Sequence, residues 1–337
     1  MEDSPFWNVN NRGQTFGLEP HFVSDHQPGN TFGKTKFVNA IQPCCTTNHP
    51  QGFPKFLAAS FVKIGSNGLG HALLSPGQVI TSLDEDNNVV VSCESNYPLE
   101  HLLAYTIDAQ RSFDFYVRVP EWSITEESFI TKNDGQRQVI EPDPHTGLTK
   151  IAIAAGTTTL RCEFSSRLRV EHRANHAVSI YYGSLLYSLE IGMIVKPGPP
   201  YDWSNRLPLP ESIIVPQVHD YNITNSTAWA VAIDLSTLQV HPRPFDSPLV
   251  DITSNQPSSF YSRPIHITVH GCEIPWGYSK GVAAEPPPVE MRRCMGDSFE
   301  VRLIPFGTAQ IHMSELPTID LSFEKKNMIA DQIPMAA

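Results

Sequence analysis

Two adjacent cysteines, Cys44 and Cys45, are the most unusual chemical feature of this 337-residue sequence. Thiolates are soft zinc ligands, and an adjacent pair can supply two of the four positions of a tetrahedral site. A bound metal also lowers the pKa of a thiol and so activates it as a nucleophile. The alternative is a pair of small buried residues at a turn, since no second pair of ligands at a recognisable spacing accompanies them.

Three histidines of the same region, His21, His26 and His49, are further candidates for a site. Imidazole can bind a metal or transfer protons near neutral pH. The gap of five residues between His21 and His26 matches neither a helical face nor a strand face. A hydrogen-bonded structural role for each histidine therefore stays open.

A helix is predicted directly after the cysteine pair, so that its positive N-terminal end would favour a thiolate there. Asn48 suits the N-cap, Pro50 suits the first turn, and Gly65 would end the helix. Its apolar side chains share one face at helical spacing; they are Phe53, Phe56, Leu57, Phe61 and Ile64.

Strand patterns dominate from residue 66 onward, with turn formers between them, which is typical of antiparallel sandwiches. The predicted strands are 87–92, 113–119, 150–153, 159–164, 177–182, 185–189, 228–235, 265–269, 299–304 and 309–313. A proline-rich stretch, 193–215, is expected to connect or wrap two domains. The predicted organisation is a helical segment over 1–65, a first β-sandwich over 66–192, and a proline-rich linker with a second β-sandwich over 193–337.

Composition excludes several classes of function. The net charge of −11 argues against a phosphate-backbone binder, so no nucleic acid is expected as a partner. No apolar stretch approaches the length of a membrane helix, so no membrane partner is expected either. The acidic N-terminal residues lack the pattern of a secretory signal, which favours a cytoplasmic location.

The remaining cysteines and the tryptophans have ordinary interpretations. Cys93, Cys162, Cys272 and Cys294 lie in or near predicted strands and are expected to be small buried residues. Four tryptophans are candidates either for a sugar platform or for the sandwich cores; they are Trp122, Trp203, Trp229 and Trp276.

Five segments resemble, in order, those of one family. Residues 44–56 resemble the double-cysteine motif of glycoside hydrolase family 127, the β-L-arabinofuranosidase-like proteins once called DUF1680, in the form of its fungal branch. Residues 115–122 are similar to its Arg-x-Pro-x-Trp strand, and residues 182–190 to its Gly-Pro-Leu-Val-Tyr-x-Leu-Glu segment, with Ser184 in place of proline. Residues 229–234 and 303–307 occupy the places of two later motifs.

The resemblance implies an (α/α)6 barrel that carries the active site, followed by β-sandwich domains. The expected fold is thus mainly β: two antiparallel β-sandwiches preceded by a short helical remnant of the barrel. The resemblance makes Cys44 the nucleophile and a zinc ligand, and Cys45 a zinc ligand. The family's other zinc ligands and its acid/base glutamate belong upstream, where residues 1–43 contain no cysteine and only Glu2 and Glu19 as glutamates.

Three functions follow as alternatives. The first is a glycoside-hydrolase-like protein, truncated, with weak or no hydrolysis alone, because hydrolysis with retention needs both a nucleophile and an acid/base group. The second is a recruited isomerase or cyclase of fungal secondary metabolism, with His21, His26 or His49 as polar groups. The third is a non-catalytic carbohydrate-binding protein that uses exposed tryptophans. Expected partners are a carbohydrate or small-molecule substrate and, to cover an open helical face, a second copy of the chain.

Overall fold

The computed structural model describes residues 21–23, 52–199, 207–213, 220–241, 265–279, 282–309 and 311–322. The described part begins with a short strand, β1 (His21–Val23), and a helix, α1 (Gly52–Ala58). The strands that follow are mostly antiparallel, so the predicted mainly β, antiparallel class is confirmed. No helix within the described ranges is long and apolar enough to span a membrane.

Ten strands between residues 61 and 163 form a first β-sandwich. They are β2 (Phe61–Lys63), β3 (Gly68–His71), β4 (Gly77–Leu83), β5 (Asn87–Glu94), β6 (Leu102–Ala109), β7 (Phe113–Arg118), β8 (Phe129–Lys132), β9 (Gln138–Val139), β10 (Leu148–Ile153) and β11 (Gly156–Glu163). One sheet has the order β10-β7-β3-β2 and the other β4-β5-β6-β11-β8-β9. Alternate residues of each sheet point into one shared apolar core, as period-two patterning requires.

The second half of the chain is built on a seven-stranded sheet. Its strands are β12 (Leu168–His172), β13 (Ala177–Tyr182), β14 (Leu185–Leu189), β17 (Val231–His241), β18 (His266–Glu273), β21 (Phe299–Pro305) and β22 (Leu316–Pro317). The order is β12-β13-β14-β21-β18-β17, with β22 paired to β13. Two small sheets accompany it: β1 with β15 (Met193–Gly198) and β16 (Asp220–Asn225), and β19 (Tyr278–Ser279) with β20 (Val282–Ala283).

Sheet membership changes earlier along the chain than the predicted division at residue 192. Strands β12, β13 and β14 were assigned to the first sandwich, but β14 pairs with β21 through Tyr187 and Pro305. The change therefore falls between Glu163, the last residue of β11, and Leu168, the first of β12. Local patterning gives each strand but not its partner, which here lies more than a hundred residues away.

Helix α1 is shorter than predicted. It ends at Ala58, and residues 61–63 form β2, which returns as β3 in an antiparallel hairpin. Glycines make the hairpin possible, since a Cβ at Gly68 would lie 2.4 Å from the Ile64 carbonyl oxygen. The apolar spacing that indicated one helical face instead spans a helix and a strand.

The predicted strand at 309–313 is also absent. Ile311 and Met313 are buried in the second core, but their segment follows a 3-10 turn at Phe306–Thr308. The Met313 backbone is held instead by the Ser188 hydroxyl, which accepts its N–H at 2.8 Å. The apolar residues are therefore core residues of a loop, and their burial alone produced the strand-like pattern.

A buried arginine ties three loops of the second half together. The Arg292 guanidinium is 6 % exposed and donates to the carbonyl oxygens of Pro287 and Thr318, each at 2.9 Å. It also donates to the carbonyls of Asn175 and His176, two residues with φ of 54° and 55°. The buried charge is therefore solvated by the backbone of segments far apart in sequence.

Replacing this guanidinium tests its role. Arg292→Met keeps length and apolar volume but leaves four carbonyls without their donor, so we expect the free energy of unfolding to fall by about 3 kcal/mol. The matched control is Arg293→Met, at the exposed neighbouring position, which should change stability by less than about 0.5 kcal/mol. Urea titration followed by circular dichroism measures both, and equal losses would contradict the assignment.

Candidate functional site

Of the cysteine pair and the three histidines proposed as site residues, His21 alone lies in the described part of the chain. It stands in β1, opposite Ile223 of β16, and β16 pairs in turn with β15. In this small sheet, β16 lies between β1 and β15, the strand that begins the proline-rich segment. Cys44, Cys45, His26 and His49 lie outside the described residues, as does Trp203, so their roles stay predictions.

The helix that follows the cysteine motif carries exposed apolar side chains. Phe56 is 47 % and Leu57 is 53 % exposed, and both belong to α1. Lys55 lies in the last turn of the same helix, where a cation is favourable. Within the described residues this face is therefore uncovered, and what covers it stays a prediction.

Two of the family-like segments meet at His101. The His101 ring centroid lies 4.4 Å from that of Trp122, in the first segment, and 5.2 Å from that of Tyr182, in the second. Gly183 permits the approach, because it adopts a φ of 58° and a Cβ there would lie 2.3 Å from His101 Nε2. His101 therefore joins the first sandwich to the seven-stranded sheet.

The chemistry of this junction is that of neutral, buried groups. Burial lowers the pKa of His101 to about 4, so its ring is uncharged at neutral pH. Its Nε2 atom has no hydrogen-bond partner within the described residues, and neither does the buried carboxylate of Glu100. Neither residue belongs to a periodic pattern or a motif that could have indicated it from the sequence.

A second buried polar group lies inside the first sandwich. His71 Nδ1 lies 2.9 Å from the Tyr105 hydroxyl, and the Phe61 ring stacks on His71 at 4.1 Å. Burial lowers the pKa of His71 to about 4 and raises that of Cys93 to about 12. Burial likewise raises the pKa of Cys162. These thiols are therefore unreactive at neutral pH, as expected of small buried residues.

The other two cysteines correct a prediction. Cys272 and Cys294 form a disulfide, with a Cα–Cα distance of 5.5 Å, rather than standing as free buried thiols. The spacing of the cysteines does not indicate this pair, because β18 and the loop before β21 come together only in the folded chain. The cellular location stays a prediction.

The described tryptophans face the protein interior. Trp229 and Trp276 are 8 % and 9 % exposed and stack on each other, and Trp122 packs against His101. They therefore form parts of the cores and not a sugar platform. In the described ranges no three His, Cys, Asp or Glu side chains come close enough to hold a metal ion.

A shallow groove lies on the outer face of the six-stranded sheet, with a volume of about 220 Å3. Strand register explains it. Ala104 of β6 lies between Glu94 of β5 and Arg161 of β11, so a small side chain forms a floor between two long ones. Next to this row, Ser92, Thr106 and Thr159 lie side by side on the same three strands.

The groove offers hydroxyl, carboxylate and guanidinium groups at one place. Thr131, Asp134, Leu160 and Tyr105 complete its lining. Small-molecule sites present such polar groups, few in number and in fixed positions. The volume lies below the ~300–1,000 Å3 typical of sites for drug-sized ligands.

The fold is similar to that of solved glycoside hydrolases. A GH127 β-L-arabinofuranosidase from Geobacillus stearothermophilus T6 matches with a TM-score of 0.50 and 18 % identity, over 79 % of this chain and 35 % of that one. A GH127 β-arabinofuranosidase matches with a TM-score of 0.52 and 15 % identity, over 83 % and 39 %. A third, described as a glycoside hydrolase, matches with a TM-score of 0.50 and 12 % identity, over 89 % and 44 %.

These likenesses show that this chain has a GH127-like fold over most of its length. The chain spans less than half the length of each of these structures. No protein-family model and no curated protein matches the sequence.

Buried neutral histidines make stability depend on pH. Burial lowers the pKa of His71, His101 and His312 from 6.5 to about 4 in the folded protein. The unfolded chain therefore binds more protons between these values, and the free energy of unfolding should decrease as pH falls from 6.5 towards 4. Each histidine contributes a slope of about 1.4 kcal/mol per pH unit.

The variant His101→Phe isolates one of these contributions, because it keeps the ring contacts with Trp122 and Tyr182. Urea unfolding at a series of pH values should show a shallower acid slope for this variant. His145→Phe, at an exposed position, is the control and should retain the wild-type slope. An unchanged slope in His101→Phe would rule out a buried neutral imidazole.

Proposed function

We propose that this chain is a glycoside-hydrolase-like protein related to β-L-arabinofuranosidases, with weak or no hydrolysis by itself. The observation that carries the proposal is the GH127-like fold, which covers 79–89 % of the chain. The family-like segments also support it. They follow the family's order along the sequence, and two of them meet in space at His101.

The proposal assigns the chemistry to the cysteine pair. The Cys44 thiolate would attack the anomeric carbon, and Cys45 would help to hold zinc beside it. Two thiolates suit zinc but fill only two of four positions, so further ligands are needed. When bound, zinc lowers the pKa of the attacking thiol. No acid/base glutamate is identified, and without one a sugar leaving group departs slowly, which explains weak or absent hydrolysis.

Thiol chemistry can single out the proposed pair. Cys272 and Cys294 are bonded to each other, and Cys93 and Cys162 are buried with raised pKa values. Any thiol that iodoacetamide modifies in the native protein at neutral pH should therefore be Cys44 or Cys45. We expect zinc to slow this modification, as located by peptide mass spectrometry.

The zinc-to-protein ratio provides the second readout. A ratio near one that is lost in Cys44→Ser/Cys45→Ser, and kept in the thiol-count control Cys162→Ala, would support a zinc site at the pair. Cleavage of an aryl β-L-arabinofuranoside should stay near background for the wild type. Native labelling at neither cysteine of the pair, together with no retained zinc, would contradict the assignment.

Carbohydrate binding without catalysis is the second candidate function, and the groove around Ala104 favours it. The hydroxyls and charged groups of the groove can replace the tryptophan platform that the structure does not provide in its described part. The isomerase or cyclase alternative stays a prediction, since two of its three candidate histidines, His26 and His49, lie outside the described residues.

Filling the groove tests this second function. Methyl β-L-arabinofuranoside should bind with a Kd of about 1 mM, as befits a single ring in a shallow site. Ala104→Leu should abolish the binding, because the larger side chain occupies the floor between Glu94 and Arg161. Val90→Leu, also on the outer sheet face but outside the groove, is the control.

Amide chemical shifts of Ser92, Thr106 and Thr159 report binding directly. Saturable shifts that vanish in Ala104→Leu and persist in Val90→Leu would support the groove as a sugar site. Equal shifts in both variants would place any binding elsewhere.

A further inference from the structure

One edge of the six-stranded sheet carries backbone groups without partners. Within the described residues, β4 forms this edge and pairs only with β5. Two hydrogen bonds show the direction of its backbone: the Ser82 carbonyl accepts from Lys63 Nζ at 2.7 Å, and the Asp84 N–H donates to the Ser66 carbonyl at 3.1 Å. Ser82 and Asp84 therefore direct their backbone groups away from β5.

Strand alternation extends this to the middle of β4. Backbone groups alternate in direction along an antiparallel strand, so those of Gln78 and Ile80 also point away from β5. The bonding of β5 agrees with this direction. Asn88 lies opposite Ser82, and its carbonyl accepts the Gln110 N–H on the side of β5 that faces away from β4. The N–H and C=O of Gln78 and Ile80 make no hydrogen bond to any described residue.

This stretch lacks the usual protection of sheet edges. Natural edge strands carry charges, prolines or bulges that prevent pairing with another chain. Residues 77–81 contain none of these, and the Ile80 side chain is 74 % exposed. Among the described residues, protection lies at the two ends, from Pro76 on one side and from Lys63 and Ser66 on the other.

We propose that a second copy of this chain pairs with β4 across this edge. A two-fold axis at Val79 places Gln78 opposite the partner subunit's Ile80 and Ile80 opposite the partner subunit's Gln78. Each of these pairs exchanges two N–H···O=C bonds, so the four outward groups of each copy are all satisfied. The open stretch is therefore complementary to itself in one register, as a two-fold interface requires.

Charge does not oppose a second copy at this stretch of the edge. The chain has a net charge of −11, so two copies repel each other over most of their surfaces. Residues 77–81 carry no charge and offer a neutral place of contact. In this register the two exposed Ile80 side chains are diagonal neighbours, about 7–8 Å apart, which is within contact distance of long side chains.

Pairing of this kind would present both grooves on one face. The axis runs perpendicular to the sheet, so the outer faces of the two six-stranded sheets become continuous. The floor of each groove, on β6, lies two and a half strand spacings from the axis, at ~4.8 Å each, so the two floors would be about 24 Å apart across the strands. This consequence rests on the proposed carbohydrate function, whereas the dimer itself does not.

Sedimentation velocity over a range of concentrations tests the dimer. The wild type should sediment as a dimer, and Ile80→Lys should weaken self-association at least about tenfold, because it sets two ammonium groups near each other and removes apolar contact. Val139→Lys is the matched control, on β9 at the opposite edge of the same sheet and 48 % exposed. It should sediment as the wild type does.

A second variant keeps the test independent of side-chain effects. Gln78→Pro removes an outward N–H and leaves the β4–β5 ladder its donors, so the fold should persist by circular dichroism while the dimer is lost. A wild type that is monomeric throughout would overturn the proposal, and so would a dimer that survives both variants. Groove binding by monomeric Ile80→Lys should be unchanged, which separates this result from the carbohydrate function.

Discussion

The contact of His101 with Trp122 and Tyr182 holds the two halves of this protein in relation to each other. The surrounding residues bury the imidazole of His101 in its uncharged form. Gly183 is the residue that leaves room for the ring, and burial lowers the pKa of His101 to about 4 so that no ion is trapped between the cores. A charged or larger side chain at either position would separate the sheet that begins at Leu168 from the sandwich that ends at Glu163.

Most strands could be predicted because their residues alternate between core and solvent. Residues 177–182 and 185–189 were placed at their observed bounds, since Gly183 and Ser184 interrupt two apolar runs. The predicted helix over Phe53–Ile64 ends early, at Ala58, because apolar residues three or four apart also occur where a short helix is followed by a strand, here β2. Pairing partners were beyond prediction, as the β14–β21 pair shows, because they depend on global topology.

The candidate sites also differ in how far they could be predicted from the sequence. Cys44 and Cys45 attract attention in the sequence because two adjacent thiols are rare, yet their neighbours in space do not follow from spacing. The groove had no sequence signal at all, since it arises from the register that sets Ala104 between Glu94 and Arg161. The Cys272–Cys294 disulfide needed the approach of β18 and a distant loop, which no local pattern encodes.

The distribution of charge limits where this protein can perform chemistry. In the described part of the chain, the buried imidazoles of His71, His101 and His312 are neutral at pH 7, and the thiols of Cys93 and Cys162 stay protonated. Groups held so far from ionisation at neutral pH make poor acids and bases there, because proton transfer is most effective when the pKa lies near the working pH. The cores thus serve as scaffold. Within the described residues, the polar groove is a place where hydroxyl and charged groups are open to a ligand, whereas a role for the cysteine pair stays a prediction.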